Sequence, residues 1–511
     1  MKKIINKITK KVGLFLAATL LLISCNDFSD SYTVDPNNVS TVPTAYLLSS
    51  AQKELVKRFL HVGDNDITVY DDFGVSYIQH IAGKTYTDTE RVETEESSFN
   101  AVYAGGLKNL QEVIDLNTNE GTKAAAAVSG ANNNQIAVAK IMLAWGYMNI
   151  TDLWGHAPYS EALLGRENFS PKYDTQKEIY TGIISELKAA AALITTGTIE
   201  GDIIYGGDVA QWKKFAGSLL MRIGLRLSNA DATMAKDAYT SGVSIGSFTS
   251  NSDNAMYSYP GGELNANAYW LSFTNGNRLD HAVSHTMVQM LGDNNDPRLP
   301  IYAKPIVSEA TTPVGPADFW AKYKVYTVNG EKYAGQPWGY SNDNATELNT
   351  EQVSFVGTAF QDETAPTYLM TFAEVEFLKS EAIARGWASG NAETFYKSGI
   401  KASITQNGIS AADADTYIDN ETFAQYDAGN YLMSIGQQKW IAMYLQGLNT
   451  WSEWRRTGYP KVLDENGGEL DQTLVPTRLP LPDAEISRNV NVNDLLISPT
   501  DMRAKVWWDV N

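Results

Sequence analysis

Residues 136–158 read IAVAKIMLAWGYMNITDLWGHAP. Ile136, Ala139, Leu143, Tyr147 and Ile150 recur at three- and four-residue spacing, the period of one helix face. The pattern stops ahead of Trp154-Gly155 and Pro158, where glycine and proline end a helix. A second stripe follows at Ile179, Ile183, Leu187, Ala191 and Ile194, and a third at Trp212, Phe215, Leu219 and Ile223 with Arg222 and Arg226 beside it. Helical pattern begins upstream at Pro43. Residues 117–134 (NTNEGTKAAAAVSGANNN) are small and polar and read as a loop, with a frayed helix in the alanines as the other reading. Helices return at 371–386, 391–404 and 432–449.

These helices come in pairs. Leu143-x-Trp145-x-Tyr147 with the 174–194 stripe has the small-and-aromatic pattern of a tetratricopeptide unit, as do 371–386 with 391–404. Each pair buries one face only against a neighbour, which favours a stacked solenoid. The fold class expected is therefore all-α, a tetratricopeptide-like solenoid, with a plain all-α domain as the alternative because the 34-residue period is irregular. Residues 228–370 differ. They are rich in Gly, Asn, Pro and aromatics, and read as a large loop-rich face. Residues 450–511, with Pro460, Pro476, Pro480 and Pro482, read as loops.

The N-terminus places the protein in a compartment. Lys2, Lys3, Lys7, Lys10 and Lys11 precede an apolar run from Val12 to Ile23, and Leu22-Ile23-Ser24-Cys25 closes it. A basic head, a short apolar segment and a small residue before the cut make a secretory signal. The run is shorter than the roughly 20 apolar residues of a membrane span. Cys25, the one cysteine of the chain, would become the mature N-terminus and take acyl chains, as in a bacterial lipoprotein. The expected organisation is 1–24 signal peptide, 25–40 tether reaching about 50 Å when extended, and 41–511 one domain. Loss of the five signal lysines takes the formal charge from −19 to −24. So acidic a chain repels nucleic acid and anionic membrane surfaces, so lipid would have to hold it at a membrane.

Most candidate chemistry dissolves on inspection. Gly242-Val243-Ser244-Ile245-Gly246 has the spacing of a serine-hydrolase elbow, but that turn needs a strand before and a helix after, and neither flank fits. His281 and His285 could share a helix face, yet the zinc-protease motif needs Glu after the first His, and Ala282 stands there. Asp293-Asn294-Asn295-Asp296 offers oxygen ligands suited to calcium. It lacks the glycine and distal glutamate of an EF-hand, and a capped turn before Pro297 is the better reading. Glu374, Glu376 and Glu381 read as a solvated or salt-bridged helix face. No cofactor is expected beyond that weak calcium option at Asp293 and Asp296.

The aromatics are the better lead. Twelve Trp and 27 Tyr are unusual, and both side chains make contact surfaces at low entropic cost. Phe319, Trp320, Tyr323, Tyr326, Tyr333, Trp338 and Tyr340 crowd one segment, and Tyr257, Tyr259, Tyr269 and Trp270 another, with Gly, Pro and Asn between them. Flat rings suit sugar faces and also peptides, with amides orienting hydroxyls. Ligand contact is expected from Trp270, Trp320, Trp338 and Tyr340. The competing reading of any one ring is packing over the solenoid.

Several longer motifs now fall into place. Leu143-Ala144-Trp145-Gly146-Tyr147 leads to Thr151-Asp152-Leu153-Trp154-Gly155-His156-Ala157-Pro158-Tyr159-Ser160-Glu161-Ala162. Tyr205-Gly206-Gly207-Asp208 precedes Trp212-Lys213-Lys214-Phe215-Ala216, with Arg222 and Arg226 following. Asp296-Pro297-Arg298 and the block from Gln438-Lys439-Trp440-Ile441 to Trp454-Arg455-Arg456-Thr457-Gly458-Tyr459-Pro460 complete the order. Over essentially its whole length the chain resembles the SusD/RagB family of outer-membrane nutrient-binding lipoproteins, most closely its SusD-like subgroup. His156 stands where the family usually has an acid, and Gly217 where Asn is common. The resemblance implies an α-solenoid with an irregular ligand face, no catalysis, and a SusC-type TonB-dependent transporter as partner in the outer membrane. It implies a glycan or other nutrient as ligand. Peptide binding in the same role, a lipid-anchored hydrolase and a protein-interaction scaffold are the alternatives. An early Trp-Asn pair can help bind glycan in that family; here the matching place is about Phe99-Asn100, the Trp is missing, and no site is carried over.

Overall fold

The computed structural model describes residues 42–60, 71–92, 98–99, 101–262, 264–465, 475–495 and 498–510. Cys25, the signal, the tether and Asn100 lie outside these. Thr44–Asn511 form one unit. Its principal helices are α1 (Thr44–Leu60), α2 (Asp71–Tyr77), α3 (Lys108–Thr118), α4 (Asn132–Trp154), α5 (Gln176–Leu193), α6 (Val209–Arg226), α7 (Ala232–Ile245), α8 (His285–Asp293), α9 (Phe372–Ala384), α10 (Ala392–Gln406), α11 (Ala411–Asn420), α12 (Tyr431–Ala442) and α13 (Gly447–Thr457). No helix among the described residues is long and apolar enough to cross a membrane.

Both expected pairs are present, α4 on α5 and α9 on α10, and α6 packs on α7 and α12 on α13 as well. Side chains set each start. Thr175 and Glu178 form a reciprocal capping box at α5, and Asp208, Asp231, Thr371, Asn391 and Ser410 cap α6, α7, α9, α10 and α11. From Ala144 to Trp154 every residue of α4 is buried, as expected of a helix enclosed by neighbours on all sides. Trp145 meets Phe59 of α1 edge-on at 5.5 Å. The α6–α7 pair is closer than side chains allow: a Cβ on Gly217 would lie 1.9 Å from the Gly246 carbonyl oxygen, and one on Gly242 2.3 Å from that of Gly217. That approach explains Gly217, where the resembling family favours Asn.

Two segments differ from the sequence reading. The stretch from 228 is not uniformly irregular, because α7 is a regular helix; its alanine- and threonine-rich face gives too weak an apolar stripe to read. The helix expected over 432–449 breaks between Ala442 and Gly447, with Leu445 at φ 62. It restarts as α13, so 450–457 are helical rather than loop. The strands form two-stranded antiparallel pairs: β1 (Ile81–Gly83) with β5 (His281–Val283), β2 (Ala157–Pro158) with β3 (Tyr173–Asp174), β4 (Ala255–Tyr257) with β8 (Thr367–Met370), and β6 (Val325–Val328) with β7 (Glu331–Ala334). The β6–β7 hairpin turns through Asn329 and Gly330, both at positive φ, as a tight hairpin loop requires.

A buried ionic network ties the helix pairs together. Arg222 of α6 clamps Glu374 of α9 with Nε at 2.8 Å and Nη2 at 2.6 Å. Arg456 of α13 clamps Glu381 of α9 at 2.6 and 2.7 Å and reaches Glu453 at 2.8 Å. Lys439 of α12 lies 3.0 Å from Glu453 and 3.7 Å from Glu374. Arg226 pairs with Asp152 of α4, whose carboxylate also accepts from Tyr180 and, at 2.7 Å, from the Trp508 indole. Arg455 lies between the rings of Trp451 (4.0 Å) and Trp508 (4.8 Å); burial pulls its pKa down to about 10. Glu374, Glu376 and Glu381 are buried and each is salt-bridged, Glu376 to Lys379, so the second of the two expected readings holds and the solvated one does not. Burial alone would raise the Glu374 and Glu381 carboxyls, but Arg222 with Lys439 and Arg456 with Arg385 outweigh it and hold both below the usual range.

Candidate functional site

The irregular face is built where β1–β5, β4–β8 and the 264–280 segment meet. Lys84 and Thr85 donate backbone N–H bonds to the Asp280 carbonyl, 2.6 and 3.1 Å, drawing the exit of β1 beside that segment. Asn267 is fixed by its own N–H to the Glu363 carbonyl (2.8 Å) and by its amide to the Ala365 carbonyl (2.9 Å). Its side-chain oxygen caps Tyr269 N–H at 2.8 Å. Trp270 then opens a short π-helical turn, Trp270–Asn275. It is half-buried and belongs to none of the three apolar clusters of the described residues. Tyr86, 60% exposed, follows Thr85 on the same β1 exit.

Tyr259, Asn267, Tyr269, Pro366 and Tyr368 line a hollow of about 30 Å³, room for one water and not for a sugar ring. Burial raises the Tyr368 phenol. Ligand contact here would be made across the rings at the surface. Trp270 has the exposure for that; Asn267, 4% exposed and bonded to the backbone, anchors the segment.

The four expected rings part company. Trp320 is half-buried on the short helix Ala317–Lys322 and stacks on Tyr323 at 5.6 Å. It packs against a satellite cluster under the β6–β7 hairpin that includes Phe319, Tyr340 and Val353. Trp338 is 4% exposed and its indole donates to the Ser76 carbonyl at 2.9 Å. Tyr340 is wholly buried: its hydroxyl donates to Asp318 at 2.8 Å, Phe319 meets it edge-on at 5.0 Å, and the Lys322 ammonium lies 4.8 Å from its centroid. Neither Trp338 nor Tyr340 offers a face to a ligand in this conformation, a correction to the expectation. Gly, Pro and Asn neighbours keep rings away from regular helices but let the chain fold them inward against loops. Glu90 fixes that fold by accepting N–H bonds from Gly83 and, at 2.8 Å, from Gly339.

The remaining candidates are placed as follows. His281 lies on β5 and His285 opens α8, so they do not share a helix face; burial lowers the His281 pKa. Asp296 is committed to Arg298, accepting from Nε at 2.8 Å and Nη2 at 2.5 Å, while Asp293 accepts from Tyr326 at 2.7 Å. Among the described residues no group of three or more His, Cys, Asp and Glu is arranged to hold a metal ion. Ser244 is exposed near the end of α7, with no strand before it. Phe99 is buried, edge-on to Trp154 at 4.8 Å.

Sequence reasoning missed a larger feature on the helical side. A cleft of about 570 Å³ opens between α3, α4, α5 and the 159–167 loop. Its residues come from four segments; Leu143–Tyr147 and Tyr159–Ala162 share one of the quoted motifs, but only the fold joins them to α3 and α5.

Stacked helix pairs bearing a loop-built aromatic face define a tetratricopeptide-like scaffold. Residues 36–482 match the SusD-like family, described as starch-binding and associating with the outer membrane, and the chain belongs to that family. No curated protein matches it. Among solved structures it is similar to a chitin-binding protein, with 28% identity, TM-score 0.75, and 92% of this chain and 100% of the other covered. It is also similar to a SusD homologue from Bacteroides uniformis (24%, TM-score 0.72, 91% and 100% covered) and one from Bacteroides fragilis (23%, 0.71, 92% and 99%). These last two likenesses concern the fold.

Proposed function

We propose that this protein is a surface-exposed lipoprotein, acylated at Cys25, that binds a glycan on its irregular face and passes it to a SusC-type TonB-dependent transporter. It acts as a binding protein without catalysis. The observation that carries the reading is Trp270: a half-buried ring outside the three apolar clusters of the described residues, on a segment anchored by Asn267. The family description and the chitin-binding neighbour support a neutral polysaccharide as the ligand class. Trp320, also half-buried, is the second contact of the expected four. Trp338 and Tyr340 serve packing.

Calorimetric titration with maltoheptaose and chitohexaose tests this. Trp270→Ala is expected to weaken binding of the preferred sugar by tenfold or more with an unchanged melting temperature. Equal affinity in wild type and variant would overturn Trp270 as the contact. Replacing Cys25 by Ser should abolish acyl-probe labelling and membrane retention. Gentle detergent extraction of the native protein should co-purify a large barrel protein; isolation of the chain alone under several mild detergents would count against the transporter.

A further inference from the structure

The cleft between α3, α4 and α5 is built as a site. Tyr147 of α4, otherwise buried, forms its floor with Leu143, Ala144 and Ile183, and Tyr159 forms a wall. The two tyrosines meet edge-on at 4.8 Å, and Tyr103 extends the row to 6.2 Å from Tyr147. Tyr159 is held from both sides. Asp174 accepts the N–H groups of Tyr159 and Ser160 at 3.2 and 2.6 Å. On the other side its phenol lies against Gly182, where a Cβ would come within 2.4 Å of the hydroxyl. A glycine in the interior of α5 disfavours that helix; here its missing side chain seats the ring. The loop above carries Leu163 at φ 65, a conformation leucine disfavours and one that concentrates at ligand sites. Leu164 beside it is 47% exposed at the rim.

The polar lining is preorganised and nearly balanced in charge. Lys140 and Glu186 pair at 2.5 Å, and Gln111 donates to Asp115 at 2.8 Å. Lys108 and Glu167 complete the set, so two lysines face three carboxylates. Such a lining makes no strong field to recruit an ion, on a chain whose overall charge is −19. It does offer fixed donors and acceptors above an apolar, aromatic floor, and its volume lies in the usual range of about 300–1,000 Å³ for small-molecule pockets.

We infer that this cleft is a second carbohydrate site that binds a short, neutral oligosaccharide, separate from the irregular face. The ligand class rests on the proposed function; the location does not. Hydrogen-exchange mass spectrometry on the full-length protein in detergent, with chitohexaose or maltoheptaose, reads the two sites separately. One of these sugars is expected to slow exchange in 108–115, 140–147 and 159–167. Trp270→Ala should leave that protection intact. Tyr159→Ala, and independently Gly182→Ala, which displaces the ring without truncating it, should weaken it at least tenfold in sugar concentration while protection near 264–280 persists. Protection confined to 264–280 overturns the cleft and leaves the proposed function standing. Protection of the cleft by unstructured peptides but by neither sugar, or by nothing, overturns it as well.

Discussion

Removing one arginine from the buried network tests whether the family motifs serve stability. Arg222 is fully buried, and its carboxylate partner Glu374 is 1% exposed. In Arg222→Met, Glu374 would keep only Lys439 at 3.7 Å, and the Leu369 carbonyl would lose its 2.9 Å donor. Stranding a buried charge costs about 3–5 kcal/mol, and an orphaned carbonyl adds to it, so about 4–5 kcal/mol is expected. Arg456→Met should cost less, about 3 kcal/mol, because Glu381 retains Arg385 at 2.8 Å and Glu453 retains Lys439 at 3.0 Å. The double variant Arg222→Met, Glu374→Met removes both charges, and replacing a buried pair by apolar groups is often neutral. It should lie within about 1–2 kcal/mol of wild type, the remainder being the unpaired Leu369 carbonyl.

The assay is urea denaturation. Melting temperature is a blunt readout for so large a unit: unfolding entropy of ~2.1 cal/mol/K per residue makes 1 kcal/mol worth about 1 °C here. The network also sets an acid limit. Burial would raise the Glu453 carboxyl, but Arg456, Lys439 and Arg226 outweigh it and hold it well below 4.5; Glu374 and Glu381 are lowered too. With folded values depressed, the unfolded chain binds more protons as pH falls. The stabilisation is present above the unfolded value and lost as pH drops through the folded ones. Stability should therefore fall steadily below about pH 4.5, and less steeply in the double variant. A double variant as unstable as the sum of its singles, or a single variant costing under about 1 kcal/mol, would refute the argument.

Trp338→Ala should cost about 3–5 kcal/mol, as large core aromatics do, with sugar affinity unchanged in the folded fraction by calorimetry. Tyr340→Phe, which loses the hydroxyl that donates to Asp318, should cost about 1 kcal/mol by denaturation. Gly217→Ala should destabilise by about 1–3 kcal/mol through overpacking against the Gly246 carbonyl; a gain in stability, as helix propensity alone suggests, would mean that α7 can shift.

The sequence speaks clearly wherever one segment suffices. The 3.6-residue stripes of α4, α5 and α6 are legible because helix formation and burial of one face are local. Asn329-Gly330 is a hairpin signal of the same local kind. The fate of Trp338 and Tyr340 is not legible. Glycine and proline neighbours mark an irregular backbone, and an irregular backbone can present a ring or fold it inward; here Ser76 and Asp318, 262 and 22 residues away, decide. The burial of Glu374 and Glu381 is hidden for the same reason. Their spacing shows a helix face, but the arginines that make burial tolerable come from α6 and α13.

Most of the motifs that identify the family send a charge into one buried network, while Asp296-Pro297-Arg298 forms a separate buried pair and Tyr147 and Tyr159 line the cleft. Asp152 from the Thr151–Gly155 run, Arg222 and Arg226 after the Trp212–Ala216 run, and Lys439, Glu453 and Arg456 from the C-terminal block all belong to the buried network. Each charge there is tolerable only with its partners present, so a change at one position strands another. No comparable coupling binds Trp270, which touches solvent, or the rim of the cleft around Leu164. A ring at the surface can be exchanged at little cost to the fold. Strong family motifs and an unspecified ligand are therefore two consequences of one architecture. The helix pairs are locked by charges that must match, and the surfaces proposed here to meet sugar lie outside that lock. The ligand is to be sought at Trp270, off the motifs, and in the cleft, where the Leu143–Tyr147 and Tyr159–Ala162 runs reach the surface.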